Sequence, residues 1–396
     1  QVKFCKKCVI SNQRPSSTVE FKNTKGETKK VINFNEDGIC SACVYHQEKE
    51  TDIDWESRDE KLKKLLDRFR KNDGSYDIII PGSGGKDSAF TAHVLKYKYG
   101  MTPLTVTWAP HLYTDIGIKN FQEWMHTGGL DNILYTPNGK LHKEMTRNAF
   151  KNLLHPFQPF IVGQRIIGPA MAKKFGVQLV MYGENQAEYG NAIEENSNPI
   201  MNTDFFAADN LSDMKFGGIS AKEYMASGAY TKGDFAPYIA PSKDSILAAG
   251  IEVHYLGYYL RWDPQECYYY ASENTGFEAN PFRTEGTYSK YSSIDDKIDP
   301  FHYYTTLVKF GIGRCTYDAS QEVRNGKITR DEAAYLVKKY DTEFPHKYFS
   351  EFLKYINITE AEFTSIIDAH RSPHIWTNTA KGWKLNHTVS MDGESD

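Results

Sequence analysis

The chain has 396 residues, of which 40% are hydrophobic and 25% are charged, a composition typical of a globular protein with one large domain or two to three smaller ones. Its 47 Lys and Arg against 51 Asp and Glu give a net charge of −4, which disfavours binding to nucleic acid through bulk positive charge. No apolar run approaches the ~20 residues that cross a bilayer, and the first residues lack the apolar core of a secretory signal. We therefore expect a soluble, cytoplasmic protein whose six cysteines serve as metal ligands or free thiols.

Two short cysteine pairs lie near the start of the chain. Cys5-x-x-Cys8 and Cys40-x-x-Cys43 supply four thiolates on two tight turns, enough to hold one Zn²⁺ in a tetrahedral site. The segment that they enclose has too few apolar residues for a core of its own, so metal binding would supply most of its stability. We predict a zinc-binding lobe over residues 1–54, with an iron–sulfur cluster as the alternative for the same four ligands.

The elements that follow alternate between helix and strand. In chain order we predict a helix (55–72), a strand (76–81), a helix (89–96), two strands (102–108 and 133–136), a helix (163–175) and a fourth strand (177–182). This alternation indicates an α/β fold with a doubly wound parallel sheet, which we place in a domain over residues 55–250. The pattern becomes irregular beyond about residue 190, and helices return at 330–340, 347–356 and 359–370. Residues 251–396 are thus expected to form an irregular and then mainly helical part that contacts substrate or partner.

A glycine-rich segment joins the first predicted strand to the helix after it. Its glycines permit backbone angles that turn several N–H groups toward one point, and the helix start adds further amides and the positive end of its dipole. Such a turn binds phosphate oxygens, but Asp87 would repel them unless a Mg²⁺ lies between carboxylate and phosphates. The candidate nucleotide-binding residues of this segment are Gly82, Ser83, Gly84, Gly85, Lys86, Asp87 and Ser88.

The same segment differs from the Walker A motif, because Ile80 stands where that motif requires a glycine. The residues Ser-Gly-Gly-Lys-Asp-Ser at 83–88 resemble the PP-loop of the ATP pyrophosphatases. These enzymes cleave ATP between its α and β phosphates and attach AMP to a carbonyl oxygen. The resemblance implies the same fold and the same chemistry for this chain.

A second segment, residues 182–191, is similar to a Gly-Glu-Asn segment that faces the nucleotide in the same enzymes. The similarity implies that Glu184 is a second Mg²⁺ ligand and that Asn185 contacts the nucleotide. A solvated loop carboxylate is the alternative for Glu184. Together the two resemblances make Lys86, Asp87 and Glu184 the candidate catalytic residues.

Four later motifs extend the resemblance nearly end to end. They are Ser-Lys-Tyr-Ser, Asp-Asp-Lys-Ile-Asp-Pro, Lys-Phe-Gly-Ile-Gly-Arg and Pro-His-Ile-Trp, at residues 289–292, 295–300, 309–314 and 373–376. With the cysteine pairs and the glycine-rich segment they resemble the N-acetyl sugar amidotransferases of surface polysaccharide, O-antigen and nonulosonic acid pathways, which convert an acetamido sugar into an acetamidino sugar. Surface salt bridges are the alternative that charge patterning favours. The resemblance implies substrate or phosphate contacts at Lys290, Asp295, Asp296, Lys297 and Arg314.

The expected chemistry requires ATP, because an amide carbon is a poor electrophile and its oxygen is a poor leaving group. Adenylation of the N-acetyl oxygen lets ammonia attack and AMP depart. Neither Cys267 nor Cys315 lies in the Gly-x-Cys-x-Gly elbow of a triad glutaminase, and both are expected to be buried small hydrophobes. We therefore expect ATP, Mg²⁺ and Zn²⁺ as cofactors, an N-acetylated sugar as substrate, a separate glutaminase subunit as the ammonia source, and neither a nucleic-acid partner nor a membrane span.

Two other functions remain open at the level of sequence. A PP-loop tRNA thiolase is one, although the net charge is negative and we expect no cysteine beside the loop. A non-catalytic nucleotide-binding zinc module is the other. The residues also leave open whether the sugar carries a nucleotide.

Overall fold

The computed structural model describes residues 1–26, 29–190 and 198–390. The described strands are β1 (Ile78–Pro81), β2 (Pro103–Trp108), β3 (Asp131–Tyr135), β4 (Leu179–Tyr182), β5 (Lys215–Phe216), β6 (Ile219–Ser220), β7 (Glu252–Tyr255), β8 (Trp376–Thr379) and β9 (Gly382–Leu385). Five of them run parallel and form the central sheet in the order β3-β2-β1-β4-β7, and two small antiparallel hairpins, β5–β6 and β8–β9, lie outside it.

Helices connect the strands and make up most of the chain after the sheet. In chain order they are α1 (Ser41–Thr51), α2 (Trp55–Phe69), α3 (Lys86–Tyr97), α4 (Asp115–His126), α5 (Gly139–Leu153), α6 (Gln158–Phe175), α7 (Ala221–Ala226), α8 (Lys243–Ala249), α9 (Leu256–Tyr259), α10 (Pro264–Thr275), α11 (Asp299–Phe310), α12 (Arg314–Arg324), α13 (Arg330–Tyr340), α14 (Phe349–Ile356) and α15 (Glu360–Ala369). None of the described helices is long and apolar enough to span a membrane.

The sheet is covered on both faces. Ile78 and Ile80 of β1 point into one apolar cluster with α2, α3 and α10, whereas Ile79 points into a larger cluster with α5 and α6. This is why β1 reads as an unbroken apolar run: a central parallel strand buries both of its faces. The predicted doubly wound α/β fold is confirmed.

The order of the strands reverses at β1. Its register pairs Ile78 with Pro103 of β2 on one side and with Leu179 of β4 on the other. The chain segments that leave β1 and β4 therefore diverge and leave a crevice between them, which is where doubly wound sheets bind ligands. This crevice is the topological switch point of the sheet.

Several elements were not predicted from the sequence. Strand β7 extends the sheet beyond the predicted limit at residue 250, and it is too short, at four residues, to show a period. The stretch expected to be irregular contains α10, which begins at Pro264 because Asp263 caps the amides of Gln265 and Glu266. Helices α11 and α12 follow, so the part of the chain after the sheet is more helical than expected.

The cysteine lobe packs directly against the rest of the molecule. Its cysteines share a buried cluster with Ile312, which lies between α11 and α12. Lys49 of α1 is fully buried, and its Nζ lies 3.1 Å from Glu188 Oε1 and 2.9 Å from the carbonyl oxygen of Trp262. The lobe is thereby fixed next to the segment that follows β4.

Candidate nucleotide site and cysteine centre

The loop between β1 and α3 requires glycine at two positions. Gly84 has a φ of +82°, and a Cβ there would lie 2.9 Å from Phe121 Cα. A Cβ on Gly82 would lie 2.2 Å from Ser88 Cβ. Ser88 closes the loop, because its Oγ accepts from the Gly84 amide at 3.2 Å and donates to the Gly85 carbonyl at 3.1 Å. The tight loop leaves the start of α3 facing the switch point.

A buried charge cluster lies at the start of α3. The Nζ atom of Lys86 is 2.5 Å from Asp87 Oδ2, and the lysine is 6% exposed. Burial by itself lowers the pKa of Lys86, but the carboxyl groups of Asp87 and Glu184 outweigh burial and raise the pKa. Lys86 is therefore held as a cation beside the loop.

Glu184 reaches the same point from the other side of the switch point, just after β4. Burial and the neighbouring charge of Asp87 raise the pKa of Glu184 well above its usual range, and Tyr189 donates a hydrogen bond to it. The Oδ1 atom of Asp87 is buried and has no hydrogen-bond partner among the described residues. Two crowded carboxyl groups with an unpaired oxygen fit the oxygen ligands that Mg²⁺ prefers.

Three cavities meet at this cluster. The acidic cavity, of about 340 Å³, is lined by loop residues 82–87 with Trp108, Phe157, Asp295, Asp296, Asp299 and Tyr303. The arginine cavity, of about 290 Å³, is lined by residues that include Arg14, Lys86, Asp87, Glu184, Arg314, Ser320, Gln321 and Arg324. The switch-point cavity, also of about 290 Å³, is lined by residues that include Gly82, Ser83, Arg165, Tyr182, Glu184 and Tyr255.

The acidic cavity holds three carboxyl groups in distinct environments. Asp296 is held by the His111 ring, whose Nδ1 lies at 2.7 Å, and by backbone amides. Burial and Asp296 raise the pKa of Asp295, although the Ser83 hydroxyl opposes the shift. Burial outweighs the attraction of Arg314 and, together with the neighbouring carboxyl groups, raises the pKa of Asp299 to about 8.

Arg314 lines the arginine cavity but is already paired. Its guanidinium lies 3.2 Å from Asp299 Oδ2 and 3.2 Å from Asp318 Oδ2, and it donates to the Ser292 carbonyl at 2.9 Å. It also stacks over the Tyr303 ring at 4.1 Å. The pairing indicates that Arg314 orders the cavity wall.

The structure places three other predicted contact residues away from the cavities. Lys290 is exposed, and Lys297 lies 3.8 Å from Glu351 on α14. Asn185 is buried and caps a short turn by accepting from the Ala187 amide at 3.3 Å. None of the three is among the residues that line the three cavities. Asn191, the last residue of the segment after β4, lies outside the described residues.

Sequence reasoning missed two arginines. Arg14 belongs to the cysteine lobe and Arg324 to the end of α12, yet both line the arginine cavity beside Lys86. Arg324 lies near Gly326, and glycines beside cations suit an anion, but Arg14 lies in no such motif. Only the docking of the lobe onto α12 brings the two together, so the sequence carried no usable signal for Arg14.

The four cysteines of the lobe form a compact buried group. All four thiol sulfurs lie within 4.8 Å of one another, with Cys5–Cys43 at 3.9 Å and Cys8–Cys40 at 3.7 Å. A tetrahedral site with Zn–S distances of about 2.3 Å places its sulfurs about 3.8 Å apart. The backbone amide of Cys40 lies 3.3 Å from Cys5 Sγ, in position to stabilise a thiolate. This centre could hold a metal ion such as zinc.

The two remaining cysteines are buried, as predicted, but one of them lies closer to the loop than expected. Helix α10 packs on α3, and Cys267 is influenced by the charges of Asp87 and Lys86. The expectation that no cysteine lies beside the loop is therefore corrected. Burial and Asp87 raise the pKa of Cys267 well above its usual range, and burial likewise raises that of Cys315, so both stay thiols.

Comparison with known proteins adds a family match over part of the chain. Residues 285–390 match the model of the family described as LPS biosynthesis protein WbpG-like, C-terminal domain. This region contains α11 to α15 and the β8–β9 hairpin. It also supplies Asp295, Asp296, Asp299 and Arg314 to the cavities.

The other similarities are shorter or more distant. An uncharacterized protein of Methanocaldococcus jannaschii is 36% identical over 84 residues, which span 20% of this chain and only 28% of that relative. Among solved structures, an NH3-dependent NAD synthetase from Campylobacter jejuni is 15% identical with a TM-score of 0.27, covering 50% of this chain and 72% of its own. An NMN synthetase from Francisella tularensis is 14% identical with a TM-score of 0.31, and the match covers 73% of this chain and 94% of the synthetase.

Proposed function

We propose that this chain is an ATP-dependent, AMP-forming sugar amidotransferase of surface-glycan (O-antigen) biosynthesis. It would adenylate the N-acetyl oxygen of an acetamido sugar and replace that oxygen with ammonia. The observation that carries the proposal is the meeting of the glycine loop, the buried Lys86 and the Asp87–Glu184 pair at the switch point of the sheet. The WbpG-like match over residues 285–390 supports the glycan setting.

The switch-point cavity suits the nucleoside of ATP, because it opens between the ends of β1 and β4. The loop amides and Lys86 would then face the phosphates and neutralise their charge. Asp87 and Glu184 would hold Mg²⁺, which when bound offsets the phosphate charge and removes the conflict between carboxylates and nucleotide. The high pKa of Glu184 is consistent with two acids that lack their cation.

The acidic cavity suits the sugar. Its aromatic walls, which include Trp108 and Tyr303, can pack on the faces of a sugar ring, and its carboxyl groups can accept from sugar hydroxyls. The cavity shares the loop residues Gly82, Ser83, Gly85 and Asp87 with the nucleotide side of the site, so an N-acetyl group bound here can face the α-phosphate. Closeness and orientation of the two substrates are the main catalytic contribution in this proposal.

The reaction balances in two steps. First, the N-acetyl oxygen attacks the α-phosphorus of ATP, the bond to the β-phosphate oxygen breaks, and pyrophosphate leaves. Second, ammonia attacks the activated carbon, the carbon–oxygen bond breaks, and AMP leaves. Of the three ammonia protons two remain in the amidinium group and one passes to a base, for which the carboxyl group of Asp295 beside Ser83 is the candidate. The amidinium product is a cation, which the acidic cavity favours.

The ammonia source is proposed to be a separate glutaminase subunit. Cys267 and Cys315 are buried thiols with raised pKa values, unlike the accessible thiolate that a glutaminase nucleophile needs. Glutamine hydrolysis by the purified chain alone would contradict this part of the proposal.

The test is product analysis with the purified chain, ATP, Mg²⁺, ammonium and a panel of free and nucleotide-linked N-acetylated sugars. We expect AMP and pyrophosphate in equal amounts, together with a sugar product whose mass shows one oxygen replaced by an NH group. The matched control is the corresponding amino sugar, which lacks the acetyl carbonyl and should give no AMP. Formation of ADP and orthophosphate would refute the proposal, and AMP formation that depends on tRNA would favour the thiolase alternative.

A further inference from the structure

The arginine cavity is surrounded by hydrogen-bond donors that lack a partner. Arg14 Nη1, Ser320 Oγ, Gln321 Nε2 and Arg324 Nε are buried and have no hydrogen-bond partner among the described residues. All four side chains line the same cavity of about 290 Å³. Buried donors in native proteins are almost always paired, so four unpaired donors around one cavity point to a ligand rich in acceptor oxygens.

The charges around the cavity also indicate an anionic ligand. Arg14 is 8% exposed, and its pKa is lowered by burial and by the nearby Arg324. Arg324 uses one nitrogen to donate to the Glu188 carbonyl at 3.1 Å and another to approach Cys8 Sγ at 3.9 Å, which leaves Nε unpaired. The two buried arginines repel each other; the cysteines and Glu188 offset part of this charge at Arg324, and an anion in the cavity would offset more of it.

The position of the cavity limits what the anion can be. Lys86, Asp87 and Glu184 also line it, so the cavity continues from the charge cluster at the start of α3. These two acids are the proposed Mg²⁺ ligands, and arginine and Mg²⁺ around one cavity are the usual surroundings of a phosphate group.

We infer that the arginine cavity binds a substrate diphosphate group, held by Arg14, Ser320, Gln321 and Arg324. The inference deepens the proposed function and rests on it. The proposed reaction offers two substrates with a diphosphate group: ATP, through its β and γ phosphates, and a nucleotide-linked sugar. It also gives the cysteine lobe a role at the site. The metal-stabilised fold of the lobe would position Arg14, so the lobe contributes a substrate contact as well as stability.

The test measures binding by calorimetry with inorganic pyrophosphate, UDP and AMP as separate probes, each in the presence of Mg²⁺. Two variants remove donors of different charge: Arg14→Met removes a cation, and Gln321→Leu removes a neutral donor. Arg261→Met is the matched control, because Arg261 is an exposed arginine that pairs with Glu50 outside the three cavities. Zinc content is measured for every variant, since Arg14 and Arg324 could instead serve to balance the charge of the cysteine centre.

We expect Arg14→Met and Gln321→Leu each to weaken binding of pyrophosphate, of UDP or of both by about tenfold or more, with AMP binding and zinc content unchanged. If the variants lose affinity for pyrophosphate alone, the cavity binds the phosphates of ATP. If they lose affinity for UDP alone, it binds the diphosphate of a nucleotide-linked sugar. If Arg14→Met loses zinc, Gln321→Leu decides the question. Unchanged affinity of Gln321→Leu for both diphosphates would overturn the inference. Because these experiments measure binding, the inference can fail while AMP-forming activity persists. Equally, diphosphate binding can be confirmed while AMP-forming activity is absent.

Discussion

Replacing Gly84 with alanine tests whether the loop after β1 binds the nucleotide. Gly84 has a φ of +82°, and a left-handed backbone costs a residue with a Cβ about 1–2 kcal/mol. The new Cβ would also lie 2.9 Å from Phe121 Cα and 3.1 Å from the Asn120 carbonyl oxygen. Both atoms belong to the backbone of α4, so no side-chain rotation can relieve the contact. Either the loop or α4 must move.

Gly74→Ala is the matched control for this change. Gly74 has nearly the same φ, +83°, but a Cβ there meets nothing within 4 Å, and the residue lies in the turn before β1. The two variants share the conformational cost and differ in the contact with α4. We expect urea unfolding to show a loss of about 1–2 kcal/mol for Gly74→Ala and about 2–4 kcal/mol for Gly84→Ala, because overpacking adds to the backbone term.

The functional readout is the affinity for ATP with Mg²⁺, measured by calorimetry at a temperature where both variants are folded. A displaced loop no longer aims its amides at the phosphates, so Gly84→Ala should bind ATP at least about tenfold more weakly, and Gly74→Ala should bind like the native chain. If Gly84→Ala keeps native affinity for ATP despite its lost stability, the loop does not hold the phosphates and the proposed function fails.

Three further changes test the metal sites and the acidic cavity. Cys40→Ser should lower bound zinc, measured by elemental mass spectrometry, and lower the midpoint of thermal unfolding, because the lobe depends on its metal; unchanged zinc would exclude Cys40 as a ligand. Asp87→Asn should raise the Mg²⁺ concentration needed for half-maximal AMP formation, and an unchanged requirement would remove Asp87 from the site. Asp299 has a pKa raised to about 8 from 3.8, so the folded chain binds more protons than the unfolded chain between those values and stability falls as pH rises through that window. In urea titrations at several pH values, Asp299→Asn should make the free energy of unfolding fall less steeply with pH, by up to about 1.4 kcal/mol per pH unit. If the variant and the native chain show the same slope, Asp299 does not titrate in this window.

The local features of the site were predictable. The apolar run of β1, the glycine turn and the start of α3 are contiguous, and each follows from backbone and burial preferences of neighbouring residues. The grouping of the cysteines was also predictable, because each Cys-x-x-Cys spacing places two sulfurs on one turn. Helices such as α13 and α15 were predicted for the same reason, since Thr329 and Thr359 cap them with local hydrogen bonds.

Two of the three predicted contact residues that line none of the three cavities are lysines. Lys290 and Lys297 lie in a stretch of alternating charge, for which charge patterning favours surface salt bridges over an anion site. The fold exposes Lys290 and sets Lys297 beside Glu351, as expected of such a surface.

By itself, then, the sequence determined the parallel α/β sheet, the glycine loop and the pairs of cysteines, because these depend on residues that are close neighbours along the chain. Only the tertiary structure decided that Glu184 meets Asp87, that Cys267 lies near the loop, and that Arg14 of the cysteine lobe lines the same cavity as Arg324. The physical reason is that burial, charge coupling and unpaired donors belong to the packing of distant segments, and no local pattern of residues encodes which segments will touch.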